Sequence, residues 1–130
     1  MKTLKSLGFE EANTNSQEIF NTVKGKIGMV PNIYAAMGVS DKLLGGFLTF
    51  TETLKSGELS VKEYESVALA TSQVNECEYC ISAHTAIGKM NGFTEEETLN
   101  IRTNTIADKK LNALVSFASE LADRKGEASD

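Results

Sequence analysis

The stretch NECEYCISAHTAIGKMNG, residues 75–92, decides both the fold class and the candidate site of this chain. Asn75 is a favourable N-cap residue and Gly92 a favourable helix stop, so the stretch predicts a helix over residues 75–91. Both cysteines of the chain, Cys77 and Cys80, and its only histidine, His84, lie within it. Their spacing, three and then four residues, stacks the three side chains along one face of the predicted helix.

Helical spacing of apolar residues continues on both sides of this stretch, and we find no strand-like alternation of useful length. Ser60 with Glu63 and Thr94 with Glu97 read as capping boxes, each of which marks the start of a helix. The predicted fold class is therefore all-α, in a single domain over residues 1–130. The other predicted helices are 16–27, 31–38, one from Ser40 to a stop at Gly57, 61–74, 95–102, and one opened by Asp108.

The helix after Ser40 carries many large apolar side chains. They fit one broad apolar face of that helix. The Gly45-Gly46 pair inside it lowers helix propensity and is typical of a close contact between helices. The apolar positions are Leu43, Leu44, Phe47, Leu48, Phe50 and Leu54.

Composition narrows the class of protein. The net charge of −5 provides no basic face for nucleic acid or for an anionic membrane, so neither is expected as a partner. No run approaches the roughly 20 apolar residues that span a bilayer, and the N-terminus does not resemble a signal peptide. The expected compartment is the cytoplasm, where a close cysteine pair is more often catalytic or metal-binding than structural.

The residues alone leave three interpretations of the cysteine pair open. In the first interpretation the cysteines are a redox pair. The helix N-terminus would favour the thiolate at Cys77, whereas His84 would favour it at Cys80, so the two effects predict different attacking sulfurs. As a zinc site, Cys77, Cys80 and His84 give three ligands, but structural sites usually draw on two separate loops. As a structural feature, the three residues would be buried thiols and an unrelated histidine.

With these residues in view, the chain resembles the alkylhydroperoxidase D-like proteins of the carboxymuconolactone decarboxylase superfamily. Their signature is a glutamate about a dozen residues before C-x-x-C-x-x-x-H. Glu65, Cys77, Cys80 and His84 match it here. The likeness extends to GMVPN at 28–32, to residues 59–80 and to AIGKMNGFTEEE after the histidine, and so covers roughly residues 25–105.

The resemblance implies an all-helical bundle with the C-x-x-C motif at the start of a helix. It implies a thiol-dependent peroxidase of the alkyl hydroperoxide reductase type in which Cys80 attacks the peroxide and Cys77 resolves the product into a disulfide. Glu65 and His84 would form the proton relay. A dithiol would be the reductant, no cofactor or metal would be needed, and the protein would be a homo-oligomer, a trimer or a hexamer.

One position departs from the best-known peroxidase of the family, which has a histidine just before the second cysteine. Here that residue is Tyr79, a possible auxiliary hydrogen-bond donor but a poor base near neutral pH. Three alternative functions remain: a non-enzymatic thiol redox sensor, a metal-binding helical protein, and the lactone decarboxylase branch of the superfamily, whose members need no cysteine pair.

Overall fold

The computed structural model describes residues 5–129, and within this range all regular secondary structure is helical, which confirms the all-α prediction. The described chain divides into two compact units, one ending at Ser56 and the other beginning at Gly57. The single domain expected over 1–130 stays a prediction. After a 3-10 helix at Phe9–Glu11, the helices are α1 Thr14–Ile27, α2 Asn32–Met37, α3 Asp41–Lys55, α4 Val61–Val74, α5 Glu78–Met90, α6 Glu95–Thr103 and α7 Lys109–Asp123.

The first unit packs α1 and α2 against α3. Phe20 of α1 and Leu44 of α3 are buried at its centre, and the Phe20 ring lies against the backbone of Gly38, where any side chain would collide with it. The broad apolar face predicted for α3 divides into two. Leu44 is fully buried, whereas Leu43, Phe50 and Leu54 point outward.

The second unit is built around α4, which contacts α5, α6 and α7. Because three helices surround it, α4 buries side chains on much of its circumference, including the polar Ser66 and Ser72 and the acidic Glu65. Gly88 of α5 packs directly under the Phe93 ring and leaves no room for a Cβ. The buried apolar core consists of Leu69, Ala70, Phe93, Ile101 and Val115.

The predicted helix starts are mostly confirmed by their caps. Both predicted capping boxes are present, at Ser60–Glu63 and at Thr94–Glu97. The Asp108 side chain accepts a hydrogen bond from the backbone N–H of Leu111, as expected for the residue that opens α7. One start is wrong by two residues, since α1 begins at Thr14, where Asn13 caps it. No helix in the described range is long and apolar enough to cross a membrane.

The prediction at the start of the cysteine helix is wrong in an informative way. Asn75 is the C-cap of α4 and not the N-cap of α5. Glu76 then takes a left-handed backbone conformation, with φ of 51°, and Cys77 itself caps α5, which begins at Glu78. Asn75 fits either role because a helix end and a helix start favour similar short polar side chains.

Candidate redox site

The two cysteines are joined by a disulfide at the N-terminus of α5, with their Cα atoms 5.2 Å apart. Cys77 is the N-cap, and the backbone N–H of Cys80 donates a hydrogen bond to its Sγ at 3.3 Å. This bond satisfies one of the amide donors that the first turn of a helix leaves without an intrahelical partner. Cys77 therefore has the position that serine or threonine has at most helix starts, with sulfur as the acceptor.

Cys77 lies at the N-cap of α5 because the connection between α4 and α5 is very short. Only Asn75 and Glu76 separate the end of α4 from the N-cap, and the Cys77 amide donates to the Ser72 carbonyl at 3.1 Å. The chain reverses in so few residues because Glu76 adopts the left-handed conformation. For a non-glycine residue this conformation costs about 1 kcal/mol, and such strain is often found beside functional groups.

His84 and Glu65 form the second half of the site. Nδ1 of His84, on α5, lies 2.7 Å from Oε2 of Glu65, on α4. The Glu65 side chain is 2 % exposed and the His84 side chain 28 % exposed, so the pair runs from the interior toward the surface. A carboxylate so deeply buried requires hydrogen-bonding or charged partners, and the imidazole supplies one of them.

The direction of this hydrogen bond sets the chemistry of the imidazole. When Nδ1–H donates to Oε2 of Glu65, the lone pair is on Nε2, on the other side of the ring. Glu65 then holds the tautomer and stabilises the imidazolium that forms when Nε2 takes a proton. His84 follows Cys80 by four residues on α5, and side chains at this spacing are neighbours on a helix surface. The arrangement can therefore accept a proton from a group near Cys80.

The observed start of α5 also changes the electrostatic comparison of the two sulfurs. With a helix from residue 75, the favourable end of the helix dipole would act mainly on Cys77. Since α5 begins at Glu78, Cys80 lies in its first turn, and both sulfurs experience the helix N-terminus. Cys80 thus combines the helix N-terminus with the neighbouring histidine, whereas Cys77 has the helix N-terminus alone.

The remaining charged and aromatic groups near the motif are at the surface. Glu76 and Glu78 are exposed, so water screens their repulsion of a thiolate. Tyr79 is 46 % exposed, in the first turn of α5. Within residues 5–129 no group of three or more His, Cys, Asp and Glu side chains is arranged to hold a metal ion.

The model of the carboxymuconolactone decarboxylase family matches residues 42–123, well over half of the chain. The chain belongs to this family. The match covers Glu65, Cys77, Cys80 and His84, and its last residue is the end of α7. No curated protein matches the chain. The family contains both decarboxylases and alkylhydroperoxidase D-like peroxidases, so membership alone leaves the reaction open.

Proposed function

We propose that this member of the carboxymuconolactone decarboxylase family is a thiol-dependent peroxidase of the alkyl hydroperoxide reductase type. The observation that supports the proposal is the combination of a Cys77–Cys80 disulfide at a helix N-terminus with a His84–Glu65 pair on the same two helices. Each component has a role in reducing a peroxide. The pair of sulfurs stores the two electrons, and the histidine and carboxylate move the proton.

The first step begins with the reduced protein. His84 Nε2 takes the Cys80 thiol proton, directly or through water, and Glu65 stabilises the resulting imidazolium. The Cys80 thiolate attacks the outer oxygen of a hydroperoxide, and the O–O bond breaks. Sulfur is oxidised to a sulfenic acid, and the departing alkoxide takes a proton and leaves as an alcohol. His84 acts first as base and then as acid.

The second step closes the disulfide. The Cys77 thiol, one helical turn before Cys80, attacks the sulfenic sulfur, and the hydroxyl group leaves as water once it is protonated. An external dithiol then attacks the disulfide and is itself oxidised, which returns Cys77 and Cys80 to the thiol form. Cys77 suits the resolving role because the disulfide forms while Cys77 still caps α5.

The partners follow from this cycle. They are a hydroperoxide substrate and a dithiol reductant, either a protein or a small molecule, with no cofactor, nucleic acid or membrane required. A reducing cytoplasm would supply the dithiol. The homo-oligomer, a trimer or a hexamer, is retained as part of the proposal. We prefer the peroxidase to the lactone decarboxylase because decarboxylation of a lactone does not require two redox-active sulfurs.

Turnover separates the peroxidase from the redox sensor. Purified protein is given excess organic hydroperoxide and dithiothreitol, and peroxide consumption is followed with the Cys77→Ser/Cys80→Ser double variant as the control. We expect many molecules of peroxide consumed per protein, and no consumption above background with the double variant. A single oxidation without further turnover would indicate a sensor, and consumption unaffected by loss of both cysteines would refute the proposal.

A further inference from the structure

Helix α3 carries an apolar surface that the core of its own unit does not use. Leu43, Phe50 and Leu54 are 50 %, 63 % and 50 % exposed, and Phe47 lies between them with one edge against Tyr34. These four residues, here called the α3 outer face, repeat at intervals of four, three and four. This is the spacing of a coiled-coil seam, which keeps the side chains in line along one side of a helix.

The α3 outer face is symmetric along the chain. Its order is Leu, Phe, Phe, Leu, so that reversing the direction of the helix exchanges Leu43 with Leu54 and Phe47 with Phe50. A two-fold interface requires a surface that is complementary to itself in this way. Two copies of α3 packed antiparallel would align leucine with leucine at both ends and phenylalanine with phenylalanine in the middle.

The distribution of charge on α3 also favours a second copy of this helix as the partner of the α3 outer face. No charged residue lies between Lys42 and Glu52 in the sequence. The uncharged residues that flank the α3 outer face include Gly46, Thr51 and Thr53. Two such faces therefore meet without repulsion between like charges. Antiparallel packing also opposes the two helix dipoles favourably.

We infer that the α3 outer face is a two-fold interface between copies of this chain. The assembly consequently has an even number of subunits, so of the trimer and the hexamer proposed above only the hexamer is compatible with this interface. A dimer or a hexamer contains such an axis, whereas a lone trimer does not. We expect one helix pair to bury less than the roughly 800 Å² per partner of a standard interface, so association should depend on protein concentration.

The first test compares molar masses by light scattering and sedimentation velocity across the micromolar range. Phe50→Lys places a charge at the centre of the face without touching the core, and it is expected to halve the assembly mass and weaken association at least about tenfold. Thr49→Lys is the matched control, because this exposed residue lies on the opposite side of α3 and should leave the mass unchanged. A monomeric wild type, or an unchanged mass for Phe50→Lys, would overturn the inference.

Cross-linking tests the antiparallel direction. Leu43→Cys and Leu54→Cys are made separately in the Cys77→Ser/Cys80→Ser background, and mild oxidation is applied to each protein alone and to their mixture. We expect a covalent dimer in the mixture and little in either protein alone. Dimer formation by Leu43→Cys alone, or none in the mixture, would contradict the antiparallel interface. Neither test measures activity, so their outcome is independent of the peroxidase proposal.

Discussion

His84 Nδ1 lies 2.7 Å from Oε2 of Glu65, a carboxylate whose side chain is only 2 % exposed. When Nδ1–H donates to this carboxylate, Nε2 carries the lone pair of the imidazole, and His84 lies one turn after Cys80 on α5. This contact joins α4 to α5, and in the proposed function it supports the residue that takes the Cys80 proton. It carries the first prediction.

Replacing His84 by glutamine separates its chemical role from its structural one. The amide of His84→Gln can still donate to Glu65, so we expect the free energy of unfolding to change by less than about 1 kcal/mol. It cannot act as a base near neutral pH, so peroxide-driven disulfide formation should slow roughly 100-fold or more. Rates come from timed thiol alkylation, with Ser82→Ala, an exposed site on α5, as control. An undiminished rate in His84→Gln would remove the histidine from the mechanism.

The sulfur cap of α5 gives a second prediction. Cys77→Ser and Cys77→Ala both abolish the disulfide. Only the serine hydroxyl can accept the hydrogen bond that the backbone N–H of Cys80 donates to Sγ of Cys77. The serine variant should therefore be more stable than the alanine variant by about 1 kcal/mol in urea unfolding. Equal stabilities would mean that the Cys77 side chain does not cap the helix in solution.

The left-handed backbone of Glu76, just before the C-x-x-C motif, gives a third prediction. Glycine adopts a left-handed conformation without steric cost, so Glu76→Gly should stabilise the protein by up to about 1 kcal/mol. Glu78→Gly is the matched control, since the same change in the first turn of α5 should destabilise it by about 1 kcal/mol. Thermal unfolding of both variants provides the comparison, and destabilisation by Glu76→Gly would argue against a left-handed Glu76.

The fourth prediction concerns acid stability. The Lys110 ammonium, which lies 2.7 Å from Oε1 of Glu63, is the main cause that lowers the pKa of Glu63 from its ordinary 4.5 to about 2, with hydrogen bonds from Ser60 adding to it. Because the folded pKa is lowered, the stabilisation is present above about pH 4.5 and is lost as the pH falls toward 2. Lys110→Met should therefore raise the pKa of Glu63, as measured by carboxyl NMR titration.

Lys109→Met serves as the control for that titration, because Lys109 is the exposed neighbour at the start of α7. It changes the net charge equally but removes no partner of Glu63. If both variants shifted the pKa of Glu63 by the same amount, the specific pairing with Lys110 would be excluded, and only the general charge would matter.

Local sequence was sufficient for most of the fold because helix starts are encoded locally. The Ser60, Thr94 and Asp108 caps could each be read from a few residues. The junction between α4 and α5 could not, because Asn75 suits either end of a helix and nothing in a glutamate predicts a left-handed backbone at Glu76.

The candidate site was predictable to a different extent. The positions of Cys77, Cys80 and His84 relative to one another follow from spacing in the chain, but the contact between Glu65 and His84 depends on how α4 packs on α5. Only the family resemblance singled out Glu65, whose burial in the structure is deeper than the partial burial its neighbours suggest. The catalytic roles assigned to these four residues stay predictions.

A single turnover followed by intact mass tests whether Cys80 reduces a peroxide and Cys77 resolves the product. Reduced wild type, Cys77→Ser and Cys80→Ser each receive one equivalent of organic hydroperoxide, are quenched with a sulfenic-acid trap and a thiol-alkylating reagent, and are analysed over seconds to minutes. We predict an internal disulfide in the wild type, a trapped sulfenic acid in Cys77→Ser, and no reaction faster than that of free cysteine in Cys80→Ser. Thiols that stay free in the wild type would contradict the peroxidase account, and a sulfenic acid in Cys80→Ser alone would reverse the roles of the two sulfurs.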